Sequence, residues 1–255
     1  MADFRLRREE VLDGERFKSM LDESPARAAQ AVLIAARQGE VEAQALLGQI
    51  LLDGQGIAQD QPLALRWFEI AAQRGHGMAR NMLGRCHEHG WGCVADAGLA
   101  ARHYRIAADA GLDWAMYNYA NLLATGRGVR ANQAEALRLY RRAAELGHAK
   151  SMNLLGRYLE EGQHCPANPQ AAFEWYRRSA EGGDFRGQFS HGSVLVTQGR
   201  TEEGLIWLRK AMHLGHSTFL KGAARALSLA PDECLQALAN EYGEKHQLLT
   251  AASVS

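Results

Sequence analysis

"AQALLGQILLDGQGIAQDQPLALRWFEIAAQRG", residues 43–75, decides the fold, because the chain writes the same pattern several times over. Gly39, Gly75, Gly111, Gly147 and Gly183 stand 36 residues apart, and so do Gly54, Gly90, Gly126 and Gly162. Two further ladders keep the same 36-residue step: Gly48, Gly84, Ala120, Gly156 and Gly192, and the bulky Trp67, His103, Leu139 and Trp175. A fixed period of this length marks a repeat architecture, in which one supersecondary unit is stacked on its own copies.

Within one unit, residues 43–53 carry apolar side chains at helical spacing, and Gly48 leaves room for a neighbouring helix to approach. Gly54 and Gly56 supply a turn that residues with a β-carbon resist, and Asp60, like Asp96, Asn132 and Asn168, is placed to cap the next helix. That second helix carries small residues at Ala64, Ala71 and Ala72 and ends at Gly75. A hairpin of this kind cannot bury its apolar face alone, so stacking is required. The expectation is an all-α protein, an α-solenoid of stacked helical hairpins with a 36-residue period.

The pattern resembles the Sel1-like repeat, a relative of the tetratricopeptide repeat with a glycine loop between its helices. The likeness continues in "ARNMLGRCHEHGWGCVADAGLAARHYRIAADAG", "AMYNYANLLATGRGVRANQAEALRLYRRAAELG" and "SMNLLGRYLEEGQHCPANPQAAFEWYRRSAEGG". On that register, residues 1–40 form N-terminal capping helices with a degenerate half repeat, in which Ser24 and Pro25 stand at the register of Asp60 and Gln61 and a polar first helix runs from about Phe4 to Leu21. Four repeats follow at 41–76, 77–112, 113–148 and 149–184, then a fifth, shortened one at 185–216. Residues 217–255 read as closing helices around Pro231 with a frayed "TAASVS" tail.

Composition narrows the function classes. Lys plus Arg equals Asp plus Glu at 29 each, so no global charge recruits nucleic acid. The N-terminus is charged throughout and no stretch has the length of a membrane span, so the expected location is cytoplasmic, without membrane association. Cys86, Cys93, Cys165 and Cys234 are too few for the disulfide framework of a small secreted domain.

The stretch "RCHEHGWGC", Arg85 to Cys93, offers the one cluster with metal or thiol chemistry in its letters. In register, Cys93 replaces Ile57 and Val129, Cys86 replaces Ile50 and Leu122, and His87 replaces Leu51 and Leu123. Cysteine packs as a small hydrophobe when buried, so the scaffold accounts for all three, and His89 alone is expected to be well exposed. The resemblance also leaves open a Cys86–Cys93 disulfide of the kind found in cysteine-rich secreted members, although those repeat the pair in most units and this chain does not. A metal- or thiol-dependent enzyme around Cys86, His87, His89 and Cys93 stands as the alternative class. No catalytic residue, metal ligand or cofactor is expected on the leading reading. "GQG", "GWG" and "GRG" follow helices and precede no phosphate-binding lysine.

The resemblance implies that the first helices line a concave wall and that peptide contacts come from positions counted off the Gly48 ladder. Asn81, Asn121 and Asn153 are then candidates to bond an extended backbone, and Arg85, Lys150 and Arg157 to hold carboxylates. Trp114 with Tyr117 could receive an apolar side chain. Glu88 and Glu160, one turn beyond Arg85 and Arg157, could pair with those arginines instead. Trp91, between two turn glycines, is a second candidate contact, weighed against folding back on its own turn. The expected function is a non-catalytic scaffold or adaptor binding an acidic or C-terminal segment of a partner protein. An immunity protein that occludes a toxin is the other protein-binding alternative.

Overall fold

The computed structural model of the protein describes residues 24–252. Thirteen helices and no strand are present among them. The capping helix expected around Phe4 to Leu21 lies outside the described residues. The helices are α1 Pro25–Arg37, α2 Val41–Asp53, α3 Gln61–Gln73, α4 Gly77–His89, α5 Ala97–Asp109, α6 Asp113–Thr125 and α7 Gln133–Glu145. They continue with α8 Ala149–Glu161, α9 Pro169–Glu181, α10 Phe185–Thr197, α11 Thr201–Leu214, α12 Ser217–Ser228 and α13 Glu233–Ala252. They divide into two compact units, one ending at Ala136 and the other starting at Leu137.

Each hairpin follows from its ladder residues. The first helix ends on a glycine in the left-handed region, Gly54 at φ 73°, Gly90 at 76°, Gly126 at 70° and Gly162 at 66°. The residue that caps the second helix then ties the loop back: Asp60 N donates to Leu51 O at 2.9 Å, and Asp96 N to His87 O at 2.7 Å. The side chains of Asp60, Asp96, Asn132 and Asn168 accept from the backbone three residues on, at 2.9, 2.9, 3.1 and 3.0 Å. Ser24, at the same register, makes no such side-chain bond. Its helix starts instead on Pro25, whose fixed φ suits a first helical position.

The small positions are where helices meet. A β-carbon on Gly48 would lie 2.7 Å from the Phe68 ring, one on Gly84 2.5 Å from the Tyr104 ring, and one on Gly156 2.6 Å from the Tyr176 ring. The first helix therefore rides on an aromatic side chain of the second. In the first unit Ala64, Phe68, Ala71 and Ala72 of α3 join Leu47, Ile50 and Leu51 of α2 and Ala79, Met82 and Leu83 of α4 in one core. In the second unit the closing helices bury Leu220, Leu238 and Tyr242 with Leu208, and Tyr242 Oη donates to Leu208 O at 2.6 Å.

Two details depart from expectation. The first helices have caps that the sequence reading did not foresee: His76 and His148 Nδ1 accept from Ala79 N and Ser151 N at 3.0 and 3.2 Å, and Asp184 accepts from Gly187 N at 2.9 Å. The terminal "TAASVS" does not fray at its start, because Thr250 to Ala252 still belong to α13 and Ser217 Oγ lies 3.2 Å from Thr250 Oγ1.

Candidate protein-binding face

The candidate residues fall on first helices: Asn81 and Arg85 on α4, and Trp114, Tyr117 and Asn121 on α6, all in the first unit. Lys150, Asn153 and Arg157 lie on α8 of the second unit.

Two of them are not open to a ligand, which corrects the expectation. Asn81 is 2% exposed, and its Oδ1 accepts from Asn118 Nδ2 at 2.9 Å. Asn153 is 3% exposed, and its Oδ1 accepts from Ser190 Oγ at 2.9 Å. Both links join successive first helices, α4 to α6 and α8 to α10, across a spacing of 37 residues. Burial makes each bond costly to lose, so these amides fix the stacking.

The glutamates also act differently from expectation. Glu88 accepts from Tyr104 Oη at 2.6 Å and pairs with Arg127, while Glu160 accepts from Tyr176 Oη at 2.8 Å. Burial pushes both phenols well above the usual tyrosine range, so they remain donors. Arg157 meets Glu161 at 3.5 Å, and Arg85 stacks over the Trp91 ring with its guanidinium carbon 4.9 Å from the centroid. Trp91 accordingly does not protrude. It is half-buried, packs on the first-unit core and faces the His89 ring at 4.7 Å.

What remains outward on the first helices is partly apolar. Met78 and Trp114 occupy the same register on α4 and α6 and are 40% and 42% exposed. Tyr117, Asn121 and Arg85 are partly exposed, as is Lys150 on α8, and Arg157 is exposed. The second helices present a ladder of their own, Ile34, Ile70 and Ile106, each about two-fifths exposed.

The "RCHEHGWGC" stretch packs as scaffold. Cys86 is buried and Cys93 half-buried, and the two are free thiols. Burial, with a smaller contribution from Cys93, pushes the Cys86 thiol up to about 12, and burial raises Cys93 as well. Such thiols hold little thiolate and are weak nucleophiles. His87 Nδ1 lies 3.5 Å from Cys93 Sγ, and its ring stacks on His103 at 5.4 Å. Burial, then the neighbouring His87 and Arg80, lowers His103 to about 4. Among the described residues no three His, Cys, Asp or Glu side chains are placed to share a metal ion.

No helix of the described residues is long and apolar enough to cross a membrane. Comparison with known proteins agrees with the hairpin geometry. A Sel1 repeat solved from Oxalobacter formigenes is 24% identical and superposes with a TM-score of 0.75 over 91% of this chain and 98% of its own. Two immunity proteins from Pseudomonas aeruginosa share the fold at 14% and 15% identity. They give TM-scores of 0.56 and 0.55 and cover 84% and 83% of this chain and 82% of each of theirs. No curated protein matches the sequence. The Sel1 repeat profile matches residues 41–76, 77–112, 115–148, 149–184 and 190–216, more than half of the chain. The protein therefore belongs to the Sel1 repeat family.

Proposed function

We propose that this protein is a non-catalytic adaptor that binds a partner protein through the outward face of its first helices. Sel1 repeats mediate protein–protein interaction, and the carrying observation here is the exposure of Met78 and Trp114 at one register of successive helices. Aromatic side chains, Met and Arg are enriched at interface centres, which distinguishes Met78 and Trp114 from the purely aliphatic ladder of Ile34, Ile70 and Ile106. Arg85 in the first unit, and Lys150 and Arg157 in the second, each favour an acidic or carboxylate-ended segment as the ligand of their own unit.

Capture from source-cell lysate tests this with wild type beside Trp114→Ala and beside Arg85→Ala with Arg157→Ala. A protein held by wild type and weakened by roughly 1–3 kcal/mol in both variants supports the reading. Equal capture by all three rejects the face. The immunity-protein reading rests on the shared fold alone, and a toxic hydrolase as the captured protein would select it.

A further inference from the structure

The second repeat differs from its neighbours at one place on its second helix. Where the other repeats carry Leu65, Leu137 and Phe173, it has Ala101; where they carry Pro62, Ala134 and Gln170, it has Gly98. The truncations leave a cleft of about 190 Å³ between α5, α6 and the turn that follows α6, lined by Gly98, Ala101, Arg102, Arg105, Tyr119 and Val129. Tyr119 stands at the register of the buried Leu47, Leu83 and Leu155, yet is only half-buried, on the cleft wall.

Charge changes at the same place. At the register of Arg102 and Arg105 the first repeat has Arg66 and Glu69, paired at 3.0 Å, and the fourth has Glu174 and Arg177, paired at 2.9 Å. The second repeat has two arginines, one turn apart on the same helix, both exposed and neither with a carboxylate partner among the described residues; the third repeat also has arginines at this register, Arg138 and Arg141, but there Leu137 stands in the place of Ala101. Asp96, at the helix start, already accepts from Leu99 N at 2.9 Å. Like charges at this spacing repel, and two guanidinium groups at the mouth of a cleft hold an oxyanion better than a surface lysine would.

We propose that this cleft is an oxyanion site, which seats a carboxylate or phosphate group between Arg102 and Arg105 with Tyr119 and Val129 as its walls. The external anion takes the place of the acidic side chain that completes the pair in the first and fourth repeats. The site stands independently of the first-helix face.

The test is an NMR titration of the full chain with inorganic phosphate and, separately, with acetate, at ionic strength held constant with chloride. Saturable shifts of the Arg102 and Arg105 side-chain Nε–H groups and of the Tyr119 and Val129 amides are expected with at least one anion. Saturation by phosphate alone assigns a phosphate group, and by acetate alone a carboxylate. Arg105→Glu restores the pairing of the first repeat, and Ala101→Leu fills the cleft as Leu65 does. Each should weaken binding about tenfold or more while circular dichroism stays unchanged. Arg105→Gln serves as the neutral control if the charge reversal unfolds the chain. Absence of saturable shifts with both anions, or unaltered affinity in the folded variants, overturns the proposal.

Discussion

The ring of Tyr104 fills the space that a β-carbon on Gly84 would need, 2.5 Å away, and its hydroxyl donates to Glu88 Oε2 at 2.6 Å one turn further along the same helix. One side chain thus sets both how near α4 and α5 approach and where the buried end of the contact is satisfied. Gly84→Ala should therefore destabilise the protein by about 1–3 kcal/mol, because the ring has little room to move. Gly222→Ala is the control: it lies on α12 with nothing within 4 Å of its added β-carbon, and should raise stability by up to about 1 kcal/mol. Urea unfolding of both variants checks the contrast.

His164 is the described non-glycine residue at positive φ, 57°, at the register of Gly56, Gly92 and Gly128. A side chain there strains the left-handed backbone, and His164 is exposed, so little contact is lost by removing it. His164→Gly should stabilise by about 1 kcal/mol net of the added chain entropy, read as a higher melting temperature.

Acid should weaken the fold through His103. Its Nδ1 is buried without a hydrogen-bond partner, and its lowered pKa means the folded state binds fewer protons than the unfolded one. Stability is thus intact above the ordinary histidine value of 6.5 and falls as pH drops from there toward about 4. His191, also buried and lowered, adds in the same direction. His103→Leu, which installs the residue found at Leu139, should flatten the pH dependence of the urea midpoint across that window.

Thiol reactivity should follow burial. Cys234 is exposed, whereas Cys86 is buried with its pKa pushed up to about 12. In native protein a maleimide should label Cys234 first and Cys86 only after unfolding, as mass spectrometry of the peptides would record.

The fold was legible because its determinants are local and repeated: turn glycines, Asp and Asn caps, and small residues at fixed steps all report backbone needs. The binding face was only partly legible. Asn81 and Asn153 look outward by analogy with related repeats, but each is consumed by a partner 37 residues on, Asn118 and Ser190, one step off the register that ladder reading follows. Glu88 and Glu160 look like helix-surface partners for Arg85 and Arg157, yet Glu88 pairs with Arg127, and the two accept respectively from Tyr104 and Tyr176, which the fold brings in from the second helix of each hairpin. Those side chains were readable as packing residues, not as hydrogen-bond donors. The His76 and His148 caps did carry a signal, since both sit at one register, but histidine is not among the usual capping residues.

Site-specific photo-crosslinking in source-cell lysate tests the adaptor reading most directly. A benzophenone side chain would replace Met78 or Trp114 on the first helices, and Ile70 or Ile106 on the second. The account predicts that one protein crosslinks from positions 78 and 114 and not from 70 or 106; crosslinking from the isoleucine positions alone, or from none of the four, would contradict it.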